Sequence, residues 1–369
     1  MWIFHFKFSY KLLYLFLLFV LSCATTTEKE SIKSFVEEIN SKTLPYDTTT
    51  SINILFSTNR KLTNTQPACS NNYFSVQYDF NTRYGICEVN VPFLHDIGEL
   101  DYDLKKPKDV TFQFLSYTPL SSNDYFSKIA NDPYPEVILF VHGFNVQFEE
   151  AVLRAAQIKY DLKFPGQVLL FTWPAGAEEG FVSGILINKT YRSNQENAQK
   201  TIPILKSYIN SLLGLGKKVH LVVHSMGHQI VLPAIHDLYL DQKKKLFAEI
   251  VLNAPDFESV KFAQMARDLK EAGNRVTVYC SPGDNALVAS RQVNNNSRVG
   301  SCELIRGVDM INVNPVDAPF LGVGGLGHGY YSSRPVLTDL YQVILGIEAS
   351  KRLFIRKSTQ NTENYVLRR

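Results

Sequence analysis

Leu221-Val222-Val223-His224-Ser225-Met226-Gly227 is an apolar run ending in Ser-x-Gly, the layout that lifts a serine hydroxyl onto a tight strand-to-helix turn. There the hydroxyl stands at the C-terminal edge of a sheet, the following backbone N–H groups point at the same spot, and the serine can act as a nucleophile. Val223 occupies the place where a glycine commonly opens this motif, so the pattern is incomplete, and a plain helix N-cap would also use a serine here. A second apolar run, Val137-Ile138-Leu139-Phe140-Val141, ends in His142-Gly143-Phe144-Asn145. Such a loop gives one N–H to an oxyanion hole and the residue after the serine gives the other, so Phe144 and Met226 are the expected donors. His142 is expected to brace its loop.

A nucleophilic serine needs a base, and the chain order Ser, acid, His places that base late. Of eight histidines only His328 follows His236, within Gly322-Val323-Gly324-Gly325-Leu326-Gly327-His328-Gly329. Two aspartates can orient it. Asp284 follows an apolar run through Ser281-Pro282-Gly283 and is preferred; Asp256 follows the preceding run through Ala254-Pro255 and is the alternative. Either could instead be a turn-forming aspartate. No C-x-x-C or H-E-x-x-H spacing occurs, so no metal site is expected, and the serine chemistry requires no cofactor.

These residues must be held by a sheet. From Pro135 the chain alternates apolar strands with amphipathic helices, which predicts an α/β fold with a mostly parallel central sheet and helices on both faces. Strands are expected at Val137–Val141, Val168–Thr172, Val219–Val223, Ile250–Asn253 and Val276–Tyr279, with a weaker one at Met310–Val313. Helices are expected at Phe148–Leu162, Asn194–Leu213, Met226–Tyr239 and Val260–Ala272. Pro203 and Pro233 should kink or shorten two of them. Upstream, Ile52–Phe56, Phe74–Tyr78 and Ile86–Val91 read as strands of an N-terminal extension over residues 51–134, joined to the rest as one domain at 51–345.

Phe140-Val141-His142-Gly143-Phe144-Asn145, Phe171-Thr172-Trp173-Pro174, His224-Ser225-Met226-Gly227, Ala254-Pro255-Asp256 and Asp284-Asn285-Ala286-Leu287 together resemble a bacterial α/β-hydrolase family known chiefly as a domain of unknown function. Tyr84-Gly85-Ile86-Cys87-Glu88-Val89-Asn90-Val91-Pro92 and Gly98-Glu99-Leu100 resemble its N-terminal strand extension. The resemblance covers roughly residues 50 to 345. It implies the hydrolase sheet with one antiparallel strand near the start, and Ser225, Asp284 and His328 as the triad. His228 and Gln229 stand where the family usually carries Asn-Arg.

The chain has 369 residues, 45% of them hydrophobic, which excludes global disorder and allows one large core. A net charge of +3 gives no argument for nucleic acid as a partner. Residues 1–22 have the layout of a signal peptide: Lys7 and Lys11, an apolar run Leu12–Leu21, then Ser22 before Cys23. Val20-Leu21-Ser22-Cys23 resembles a bacterial lipobox. Acylation at Cys23 would anchor an exported protein at the cell membrane or outer membrane, with 23–50 as a tether; an ordinary signal peptide or an uncleaved anchor are the alternatives. Cys69, Cys87, Cys280 and Cys302 suit an oxidising compartment, and the local pairs are favoured over reduced thiols. Residues 346–369 carry Lys351, Arg352, Arg356, Lys357, Arg368 and Arg369 and are expected to form a solvated basic tail, with contact to an anionic membrane surface as the alternative.

Hydrolysis of a small-molecule or lipid ester, or a related acyl bond, is the expected function. The alternative is a non-catalytic envelope lipoprotein that uses the same scaffold for binding, since a fold alone does not fix a function.

Overall fold

A computed structural model describes residues 50–92, 95–103, 105–177, 187–314, 316, 328, 333–359 and 364–368. The expected signal peptide, the tether up to residue 49 and Cys23 lie outside the described residues, as does most of the glycine-rich loop around His328.

The centre of the sheet is built from β4 (Glu136–Val141), β5 (Gln167–Thr172), β6 (Lys218–His224), β7 (Phe247–Asn253) and β8 (Gly273–Cys280). From Val137 to Val141 and from Val219 to His224 every side chain is buried, because helices cover a parallel sheet on both faces and leave no wet side for alternation to mark. With β9 (Asp309–Asn312) these strands pair in parallel, in the order β9-β8-β7-β6-β4-β5.

That order dictates where the helices go. The chain steps from β4 to β5 through α2 (Phe148–Asp161), then returns past β4 to β6 through α3 (Ile187–Leu213). It continues the same way through α4 (His228–Gln242) to β7 and α5 (Ser259–Ala272) to β8. Right-handed crossovers therefore put α2 on one face and α3, α4 and α5 on the other, where α4 packs against both α3 and α5. The direction reverses between β4 and β6, and the crevice beyond the C-terminal ends of two such strands is where open α/β sheets bind ligands.

On the β5 side the sheet is extended by β1 (Ser51–Leu62), β2 (Phe74–Asn90) and β3 (Gln113–Leu120). β1 is parallel to β5, whereas β1–β2 and β2–β3 are antiparallel. The two strands expected at Phe74–Tyr78 and Ile86–Val91 are one strand. Its polar middle hid it: β1 advances from Thr58 to Arg60 while β2 runs from Arg83 to Tyr78, an irregularity that accommodates Asp79–Thr82. β3 and the following α1 (Ser122–Ala130, capped by the Ser121 side chain) were not expected from sequence, since the edge strand is half exposed and lacks an apolar run.

The helices α3 and α4 run through Pro203 and Pro233 without being shortened. The expected solvated tail is also corrected. β10 (Ile355–Lys357) and β11 (Tyr365–Leu367) extend the sheet beyond β9, with Ile355 and Leu367 buried. Arg352 is fully buried against Asp339 of α7 (Arg334–Ile344), 2.9 Å away, and Asp339 also accepts from Tyr279 Oη at 2.6 Å. A basic count alone could not separate this structural arginine from its exposed neighbours. The four cysteines form the local pairs Cys69–Cys87 and Cys280–Cys302.

Candidate active site

Ser225 follows β6 directly, with φ +51°. A side chain in this left-handed region costs about 1–3 kcal/mol and persists only where its surroundings hold it. The Ser225 carbonyl is held by the His228 backbone N–H, by His228 Nδ1–H at 2.6 Å and by the Asp256 N–H at 3.3 Å. Gly227 is required by close approach, since a Cβ there would lie 2.6 Å from the His142 carbonyl oxygen. Val223, which takes the motif's first glycine position, is buried in the ladder between Val141 and Leu252, so the turn forms without that glycine.

The loop after β4 faces this turn. A Cβ on Gly143 would lie 2.6 Å from Ser225 Cβ, so the loop can pass the serine only with glycine there. Asn145 is left-handed (φ +57°), and its N–H donates to Asn194 Oδ1 of α3 at 3.1 Å. His142 braces the loop. Its Nδ1–H donates to the Gly143 carbonyl, its Nε2 accepts from the Trp173 N–H and from Thr172 Oγ1, and its ring stacks on Trp173. Among the described residues neither the Phe144 nor the Met226 N–H is taken up by a turn or loop hydrogen bond.

Asp284 leaves β8 through the Ser281–Gly283 turn and caps α6 (Asn285–Asn294). Its Oδ1 accepts from the Leu287 N–H at 3.0 Å and its Oδ2 lies 2.6 Å from His328 Nδ1. The Cys280–Cys302 disulfide and the Ser281 N–H to Gly300 carbonyl bond hold the base of this turn. On its other side His328 is fixed by its own carbonyl, which accepts from His224 Nε2 at 3.0 Å, and the two rings lie 4.8 Å apart. Since His224 immediately precedes Ser225, the imidazole of His328 is held beside the turn.

Asp256 is engaged elsewhere. Its Oδ1 accepts from Ser290 Oγ and pairs with the buried Arg298 at 3.2 Å, while its Oδ2 accepts from Tyr191 Oη at 2.8 Å and Gln229 Nε2 at 3.4 Å. The structure thus joins Asp284 with His328 and gives Asp256 to a separate buried network.

Burial holds three imidazoles around the serine neutral. The pKa of His142 and His224 is pushed well below the ordinary value, first by desolvation and then by the neighbouring charges of Arg60 and His328 respectively. Burial pushes His228 down to about 3. Each donates one ring N–H to a carbonyl, which fixes its tautomer. Of these roles sequence reasoning found only that of His142. His224 and His228 lie at the end of β6 and the start of α4, and the contacts that give them roles, to the His328 carbonyl and to the Ser225 carbonyl, are made only in the folded turn. Among the described residues no group of three or more His, Cys, Asp or Glu is placed to hold a metal ion.

A strained serine at a topological switch point, faced by a His-Gly loop and flanked by a His–Asp pair, defines the α/β-hydrolase class. The chain belongs to the family described as alpha/beta hydrolase of unknown function (DUF900), whose model matches residues 120–346, more than half of the sequence. Comparison with curated proteins and with solved structures gave no match. The extension β1–β2, and all of β3 but its last residue, precede the matched segment although they complete the same sheet.

Proposed function

We propose that this protein is a serine hydrolase that cleaves an ester or related acyl bond. The observation that carries this reading is the 2.6 Å contact of His328 Nδ1 with Asp284 Oδ2, beside a serine in the left-handed conformation. Ser225 Oγ attacks the acyl carbon and His328 Nε2 takes its proton, while Asp284 holds the proton on Nδ1 and stabilises the imidazolium. The oxyanion is met by the Phe144 and Met226 N–H groups. His328 then returns the proton to the leaving alcohol, and water releases the acyl group by the same route. The cycle uses this chain's own residues and calls for no cofactor.

The substrate class is a small-molecule or lipid ester. Export and a lipid anchor at Cys23 would set the enzyme at a bacterial membrane, a reading that rests on the sequence of the first 23 residues. A fluorophosphonate probe tests the chemistry. The wild-type protein should label and Ser225→Ala should not; a folded wild type that fails to label would favour a binding role for the scaffold.

A further inference from the structure

We propose that Arg60, on the N-terminal extension, is a positioning residue for the oxyanion loop. This rests on the serine-hydrolase reading above. In parallel register β1 and β5 pair as far as Thr58 with Thr172, where β5 ends, but β1 continues to Leu62. The overhang carries Arg60 past the C-terminal edge of the sheet, the edge on which Ser225 and the His142–Val146 loop lie.

The Arg60 side chain is fully buried, and among the described residues no carboxylate lies within ion-pair distance of it. Isolated buried charges are costly, and the groups that meet this one among the described residues are neutral oxygens. Its Nη2 donates to the Val146 carbonyl at 2.8 Å, its Nη1 to the Ala175 carbonyl at 2.9 Å and the Ser75 carbonyl at 3.4 Å, and its Nε to Thr172 Oγ1 at 3.1 Å. Thr172 passes its own proton on to His142 Nε2 at 2.9 Å, and His142 Nδ1–H holds the Gly143 carbonyl. One guanidinium therefore grips the oxyanion loop at both ends: at Val146 directly, and at Gly143 through Thr172 and His142. Desolvation lowers the Arg60 pKa to about 9, which leaves it charged at neutral pH, and that charge disfavours protonation of His142. A neutral His142 keeps Nε2 an acceptor, so the relay and the charge support one arrangement. Only a planar fork can make these contacts together.

The test uses the full chain and the variants Arg60→Met, Arg60→Lys and Thr172→Val, with p-nitrophenyl ester kinetics and amide hydrogen exchange over residues 142–147. A misplaced oxyanion donor acts on the transition state more than on substrate binding, so Arg60→Met should lower kcat by about 10–100-fold with KM within about threefold. Exchange at 142–147 should rise while β6 stays protected. Arg60→Lys, which keeps the charge but not the fork, should recover part of kcat, and Thr172→Val should loosen the Gly143 end. Wild-type kcat and wild-type exchange in Arg60→Met would overturn the proposal. Should Arg60→Met not fold, Thr172→Val decides in the same terms. Should wild type show no esterase activity or labelling, the hydrolase reading fails, and exchange at 142–147 still decides whether Arg60 anchors the loop.

Discussion

His328 Nδ1 and Asp284 Oδ2 lie 2.6 Å apart, and the second oxygen of Asp284 is occupied by the Leu287 N–H at the start of α6. The carboxylate is therefore fixed by a helix cap on one side and fixes an imidazole on the other. Asp284→Asn can keep the cap through its amide oxygen, but its NH₂ then faces Nδ1 and selects the wrong tautomer. Turnover should fall about 10³–10⁴-fold with stability nearly kept. Asp256→Asn instead strips the buried Arg298 of its anion and should cost about 3–5 kcal/mol in urea melts, with a smaller loss of turnover. A larger loss of turnover at Asp256 than at Asp284 would reverse the two assignments.

Gly143→Ala puts a methyl group 2.6 Å from Ser225 Cβ and 2.9 Å from His224 Nδ1. The loop or the serine must shift, and shifts of this size at an oxyanion hole cost about 100-fold or more in kcat. Steady-state kinetics alongside a thermal melt checks this: a variant with wild-type kcat would show that Gly143 serves packing alone.

His228 carries a folded pKa of about 3 against an unfolded value near 6.5. The unfolded chain binds the proton first, so the stability linked to His228 is complete above about pH 6.5 and is lost as pH falls towards 3. Wild type should lose about 2 kcal/mol more than His228→Asn between pH 7 and pH 5. Parallel stability curves for the two proteins over that range would show that the imidazole titrates normally.

Mass spectrometry of the N-terminal peptide should find Cys23 acylated at a new N-terminus, and Cys23→Ser should block attachment. An unmodified Cys23 inside an intact leader would indicate a signal anchor, and cleavage without lipid a freely secreted protein. Several acyl chains give stable anchoring because each buried CH₂ adds about 0.8 kcal/mol.

Amino-acid order alone determined the parallel core and its edge residues. Doubly covered strands such as Val137–Val141 must be continuously apolar, and a turn that closes on Ser225 and Gly143 needs small residues at set offsets. Those signals are local. Chain order and elimination also pointed to His328, and a turn after an apolar run to Asp284, but neither told what keeps Asp256 from the same role. Only the tertiary structure did that, by drawing Tyr191, Gln229, Ser290 and Arg298 from four separate segments around Asp256. The buried Arg60 and Arg352 were likewise illegible, since in sequence each is one more basic residue. A guanidinium becomes structural when distant carbonyls or carboxylates converge on it, and that convergence is fixed by strand order and register, which no local pattern encodes.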